Sequence, residues 1–280
     1  MAKSVFLSDM TWPEVGEHIK DGWDMVLIPA GQTEQHGPHL PIKTDYVIAE
    51  TFAAKIAEAA GDDPKVVVAP TISYGFSDMP GLIDYPGVFT LSPATLVGVY
   101  TDVARSLVRM GFKRIVFIDS HGGNPAFLAQ ATDIIVRELG VLSLAIHWYT
   151  VLAPEVEAKR EAPSPGGFIH ADEIETSVAM ACGVPVREDK LGAEWWPDLG
   201  PFEGFLMPFG HPKYSVTFPA FSVPQVIKAV WPGPGLAPGP VGNTSKANKK
   251  KGEEIMEMVI AKSVEILKHV STLPLPSEAK

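Results

Sequence analysis

The chain has 280 residues, a net charge of −10, and 46% hydrophobic and 20% charged residues, the proportions of an ordinary globular protein. No run approaches the roughly 18 consecutive apolar residues of a membrane span, and the acidic balance speaks against a nucleic-acid backbone as partner, which takes a concentrated basic surface. Cys182 is the single cysteine, so an intrachain disulfide and a zinc site of several thiolates are both excluded, and any metal has to sit on His, Asp and Glu.

Residues 1–10 carry neither a basic segment followed by an apolar core nor a cleavage signal, so a cytoplasmic address is the expectation. Three short aliphatic or β-branched runs read as buried strands: 25–29 and 66–70, each closed by Pro, and 114–119, closed by Ser120-His121-Gly122-Gly123. Helical patterns lie between them, at 47–60, at 91–110 with a Ser92-Pro93 start, and after Asn124-Pro125, where Phe127, Leu128, Ala131, Ile134, Ile135 and Leu139 keep helical spacing until Gly140. Residues 141–147 make a fourth strand. Residues 194–240 turn to Trp, Phe, Pro and Gly and read as an irregular segment that covers a site or meets another subunit, and 245–270 returns to a helix whose basic start, 249–251, reads as solvated. Strands alternating with helices imply an α/β fold, read as one domain over 1–280, with a mostly parallel sheet covered on both faces and its ligands beyond the carboxyl ends of the strands.

Two polar clusters occupy such positions, and a third opens a helical pattern. In Gly31-Gln-Thr-Glu34-Gln-His36-Gly-Pro-His39-Leu-Pro, Glu34 and His36 are two apart and point to one side of an extended chain, and a Gly-Pro and Leu-Pro turn can fold Asp45 back over them. Two carboxylates and an imidazole suit zinc, manganese or magnesium, although an isolated Glu-x-His is more often a polar loop capping its own turns. In Asp119-Ser120-His121-Gly122-Gly123-Asn124 the imidazole sits at a strand end, while Asp119 and Asn124 also fit plain turn and cap roles. In His170-Ala-Asp172-Glu173-Ile-Glu175-Thr-Ser177 the acids suit the positive end of a helix, which accounts for Asp172 and Glu173 without further role. Glu175 differs because Ile174 and Val178 put it near the buried side, where an unpaired carboxylate is costly and a metal would stabilise it. His18, His147 and His211 lack such surroundings and read as surface or hydrogen-bonded histidines.

At these three clusters the sequence resembles the creatininase, or creatinine amidohydrolase, family, over about residues 7–267. The resemblance implies a three-layer α/β/α fold, two divalent ions per chain (zinc first, manganese or magnesium as alternatives), hydrolysis of an amide or related bond in a small-molecule substrate, and assembly as a homohexamer. Carried over residue by residue, it implies metal ligands at Glu34, His36, Asp45, His121 and Glu175. Asp45 bridges, and Glu175 replaces the glutamate that creatininase proper carries at the position of Gly123. This sequence resembles the branch with the His-Gly-Gly-Asn motif, which includes a formyl-amide hydrolase, a peptide-trimming enzyme and a hydrolase opening ketonic cyclitol rings. Residues 165–169 lack the tryptophan that closes over creatinine in creatininase itself, an argument against creatinine as substrate. Trp148, Asn124 and His39 are the expected pocket residues.

The mechanism expected from this set assigns Glu34, Asp45 and His121 to one ion and His36, Asp45 and Glu175 to the other. Catalytic roles then fall to the metal-holding Glu175, to Gly122 and Gly123 as N–H donors to an oxyanion, and to His170 as the proton donor to the leaving atom. Ring-opening carbon–carbon hydrolysis of a ketonic cyclitol is the second reading, and a non-catalytic metal-dependent binding protein the third.

Overall fold

Alternation along the first strand decides the layering. In β1 (Met25–Ala30), Met25 and Leu27 face one core with Ile48, Phe52, Ile174, Val178, Ile255 and Val259, while Val26, Ile28 and Ala30 face another with Leu96, Tyr100, Leu128 and Ile135. A strand buried on both faces needs a helical layer on each, and so the sheet is the middle of three layers. The computed structural model describes residues 4–163, 170–196 and 232–276. Its main sheet joins β1 to β2 (Val66–Val68), β3 (Arg114–Asp119) and β4 (Leu142–His147) in the order β2-β1-β3-β4, every pair parallel. One face carries α2 (Thr44–Ala60), α6 (Glu173–Ala181) and α7 (Lys249–Thr272), and the other α3 (Pro93–Met110) and α4 (Pro125–Leu139).

The helix bounds follow their start and stop residues. Pro occupies the first helical position of α3 and α4, where its missing N–H costs nothing, and Gly140 ends α4 in the left-handed conformation. Helix α2 begins three residues earlier than its pattern suggests, which brings Asp45 into its first turn. A further helix, α1 (Trp12–Lys20), opens with a Thr11/Glu14 capping box that the pattern reading passes over. After β4 comes the short α5 (Ala153–Glu157). Among the described residues no helix is long and apolar enough to cross a membrane.

The basic start of α7 is only partly solvated. Lys249 and Lys250 are exposed, but the Lys251 side chain is 6% exposed and its Nζ pairs with the fully buried Glu173 of α6 and with Glu161 at 3.0 Å. Gly252 beside it permits the contact, since a Cβ there would lie 1.9 Å from the Ser177 carbonyl oxygen. Of the Trp- and Pro-rich segment, residues 197–231, with His211, lie outside the described residues. Its start, β5 (Glu194–Trp195), pairs antiparallel with β6 (Gly242–Asn243).

Candidate metal centre

The carboxyl ends of β1 and β3 open into the two turns that hold the first candidate residues. Beyond β1 the chain runs extended and folds back where Glu34 N donates to Ile42 O, so Glu34 and His36 share one side and Asp45 arrives from the first turn of α2. His121 follows β3, and Glu175 is the third residue of α6, just after His170. These six side chains, from four separated stretches, meet in one buried cluster in which every residue is at most 6% exposed.

Asp45 stands at its centre. Its Oδ1 is 3.0 Å from His36 Nε2 and its Oδ2 3.1 Å from His121 Nδ1. Glu34 Oε1 is 3.4 Å from His121 Nδ1, and Glu175 Oε1 is 3.7 Å from His36 Nε2. Two triads result, Glu34/Asp45/His121 and His36/Asp45/Glu175, each with its ligand atoms within 4.8 Å of one another. The same measure gathers a third, Glu34/His36/His170, with His170 Nδ1 3.5 Å from Glu34 Oε1.

Main-chain oxygens fix which nitrogen faces inward. His36 Nδ1 donates to Glu34 O at 3.1 Å and His121 Nε2 to Phe76 O at 2.8 Å, leaving His36 Nε2 and His121 Nδ1 toward the acids. This is the orienting contact that metal-binding imidazoles use. Ser77 Oγ donates to Glu34 Oε2 at 2.7 Å and so steadies that carboxylate. Nothing in the sequence singles out Phe76 or Ser77, because residues 70–92 have no periodicity and neither residue type is itself a metal ligand of this class.

Burial opposes charge on His121, but Glu34 and Asp45 push it up to about 10. Burial likewise opposes charge on His36, and Asp45 and Glu175 hold it well above the ordinary imidazole value. For Asp45 burial is again outweighed, here by His36 and His121, so its carboxyl lies below the usual range. Burial raises Glu34. Burial and the neighbouring His36 keep His170 well below its ordinary value, hence neutral.

The other expected residues each have their own contacts. Gly123 packs on the Nε2 side of the His121 ring, where a Cβ would lie 2.5 Å from Nε2 and 2.1 Å from Phe76 O. It has no room for a glutamate. Asn124 is fully buried and ties Asp119 Oδ1 to Gly31 O through Nδ2, a brace between strand ends. His39, also fully buried, joins Thr176 Oγ1 at 2.9 Å and links the first loop to α6. Trp148 is a core residue, 2% exposed and stacked on Phe52 at 6.0 Å. Asp172 caps α6 and Glu173 is the buried partner of Lys251, so both do more than suit the helix dipole. His147 lies at the end of β4, its Nε2 3.9 Å from Asp119 Oδ2, nearer the cluster than its sequence surroundings suggest. His18 hydrogen-bonds Glu14 O at 2.8 Å.

The donor set suits divalent cations. Three buried carboxylates and two inward imidazoles are all oxygen and nitrogen ligands, and Asp45 Oδ2 is buried without a hydrogen bond of ordinary geometry despite the nearby His121.

Comparison with known proteins gives the family. The family model Creatininase, described as creatinine amidohydrolase, matches residues 8–267. Curated relatives include the creatinine amidohydrolase of Pseudomonas putida, 29% identical over 93% of this chain and 95% of that protein. They also include the 3-dehydro-scyllo-inosose hydrolase of Thermotoga maritima, 28% identical over 74% and 63%, and the mycofactocin precursor peptide peptidase of Mycolicibacterium smegmatis, 36% identical over 56% and 57%. A solved creatininase superposes with a TM-score of 0.77 at 24% identity, covering 98% of this chain and 100% of that one. A Zn-Zn creatininase mutant, covering 96% and 98%, and a Mn creatininase, covering 95% and 98%, each reach 0.74 at 25% identity. With a family match running through nearly its whole length and the three-layer fold in common, the chain belongs to the creatininase family.

Proposed function

We propose that this protein is a metal-dependent hydrolase that cleaves an amide C–N bond, in a cyclic amide or a formamide, of a small polar metabolite. The observation that carries the reading is the Asp45 carboxylate, whose two oxygens each lie within about 3 Å of an inward-facing imidazole nitrogen, so that one side chain belongs to both triads. Glu34, Asp45 and His121 would hold one divalent ion, and His36, Asp45 and Glu175 the other, zinc or manganese by the chemistry of the donors. Zn-Zn and Mn forms among solved creatininases support that choice. Ions so held supply polarisation of a carbonyl and a water acidic enough to be deprotonated at neutral pH.

The chain's own residues handle the proton. His170 Nε2 donates to the main-chain oxygen of Gln35 at 2.9 Å, which turns Nδ1 toward Glu34. Gln35 is locked in turn, its Nε2 donating to Gly239 O at 3.1 Å and its Oε1 accepting from Gly37 N at 2.9 Å. A neutral His170 can take the proton of the attacking water at Nδ1 and deliver it to the departing nitrogen, which cannot leave as an amide anion. Water adds to the carbonyl carbon, the C–N bond breaks, and a carboxylic acid and an amine result.

The test is turnover by protein loaded with Zn2+ or Mn2+ on cyclic amides, N-formyl amines, short peptides and cyclic keto-polyols. Release of one amine per amide consumed supports the reading. Consumption of a keto-polyol alone would move it to carbon–carbon hydrolysis of such a ring, with the 3-dehydro-scyllo-inosose hydrolase of Thermotoga maritima as the relative in support. Two bound ions with no turnover on any of these would leave ion binding as the function.

A further inference from the structure

The acids of the cluster are held by different parts of the fold, and one of them hangs on a contact outside it. Arg160 follows α5, and its side chain is 6% exposed. Its guanidinium donates through Nε to Glu157 Oε1 at 2.6 Å, through Nη2 to Glu157 Oε2 at 3.1 Å, and through Nη1 to Asp172 Oδ2 at 2.5 Å. Tyr149 OH donates to Glu157 Oε2 at 3.0 Å, fixing that carboxylate from the end of β4. Such a fork fixes two carboxylates in one plane, which a lysine cannot do.

Asp172 divides its oxygens between two tasks. Oδ2 receives Arg160, while Oδ1 accepts from Ile174 N at 3.0 Å and Glu175 N at 3.2 Å and so caps α6. Glu175 folds back over this cap, its Oε2 accepting from Ala171 N, which leaves Oε1 to face His36. The bend between His170 and Asp172 is made by Ala171 at φ +53, a left-handed conformation that is strained for a residue with a Cβ. Strain of that kind persists only where its surroundings impose it. Here the bend is held on one side by Val241 N donating to His170 O at 2.9 Å and on the other by the Arg160 grip on Asp172.

We propose that Arg160 is a positioning residue that, by gripping the cap of α6, sets the Glu175 carboxylate against His36 and Asp45 and thereby governs how tightly the Glu175 half of the centre holds its divalent ion. The inference rests on the two-ion reading of the cluster. It predicts a selective effect, because the other half is built without α6. Glu34 is steadied by Ser77, His121 by Phe76 O, and Asp45 sits on α2.

The experiment takes the full chain, strips it with chelator and titrates it with Zn2+ alone against a competing chelator, giving stoichiometry and an affinity for each ion, for wild type, Arg160→Lys and Asp172→Asn. Arg160→Lys should hold one ion as wild type does and the other about 10- to 100-fold more weakly, the usual effect of losing a contact that orients a metal ligand. Asp172→Asn still caps the helix but gives up the charge that Arg160 grips, and should show the same one-sided loss. It decides the matter if Arg160→Lys does not fold. Two ions bound by both variants as tightly as by wild type, or an equal loss of both, would overturn the proposal. A wild-type chain that binds fewer than two ions would sink the two-ion reading itself and this inference with it.

Discussion

Replacing Lys251 by Met removes the ammonium that the fully buried Glu173 faces while keeping most of the stem that packs between α6 and α7. Breaking a buried pair from one side costs about 3–5 kcal/mol, since the remaining charge stays desolvated. Glu173 keeps two other donors, Glu161 N at 2.9 Å and Ala162 N at 2.7 Å, which argues for the lower end, about 3 kcal/mol. For a chain of this size each kcal/mol moves the melting temperature by about 2–4 °C, so Lys251→Met should melt about 6–12 °C below wild type. Differential scanning calorimetry on metal-free proteins reads the shift directly. Adding Glu173→Gln should recover a large part of it, because the stranded charge is then gone. A loss under about 2 °C, as expected for a solvated surface lysine, would refute the burial argument and restore the reading of 249–251 as a solvent-facing run.

The remaining expectations concern the centre itself. His170→Ala should bind its ions yet lose about 10²- to 10⁴-fold in kcat, the range for a positioned proton carrier, and unchanged turnover would remove His170 from the mechanism. Both His36 and His121 are held above the ordinary imidazole value and so carry protons at neutral pH in the metal-free chain, whereas a metal ligand must be neutral. Filling the centre near pH 7.5 should therefore release about two protons per chain from the imidazoles, with any ionisation of bound water adding to that, and binding should weaken as the pH falls. Calorimetric titration in two buffers of different ionisation enthalpy counts those protons, and a count near zero would contradict the assigned ligands. Gly123→Ala should disturb His121, since its Cβ would meet Phe76 O and the imidazole, and the ion held with Glu34 and Asp45 should weaken. Zn2+ titration of Gly123→Ala protein checks this, and wild-type affinity for both ions would show that the turn yields without moving the ring.

What the sequence discloses here depends on how local the cause is. The runs at 25–30 and 114–119 and the Ser92-Pro93 and Asn124-Pro125 starts are written in neighbouring residues, and their elements lie where the pattern puts them. The six clustered residues are legible because His and carboxylate recur in three short motifs just past strand ends or at a helix start, and together they have few other reasons to concentrate so. Lys251 was not legible, because its burial depends on Gly252 letting α7 approach Ser177, a contact between stretches over 70 residues apart. Asn124, His39 and Trp148 are all buried, and the partners that hold them, among them Gly31, Thr176 and Phe52, lie far along the chain where no local pattern reports them. Arg160 belongs to the same class, since its meaning comes from Asp172 across an intervening stretch of chain.

One carboxylate shared between two ions is the centre's defining feature, and metal counted per chain tests it most directly. Protein purified without chelator and loaded with Zn2+ should hold two ions as wild type, one as Glu175→Ala, and almost none as Asp45→Ala. Equal metal content in all three, or a wild type holding no more than one ion with its fold intact, would contradict it.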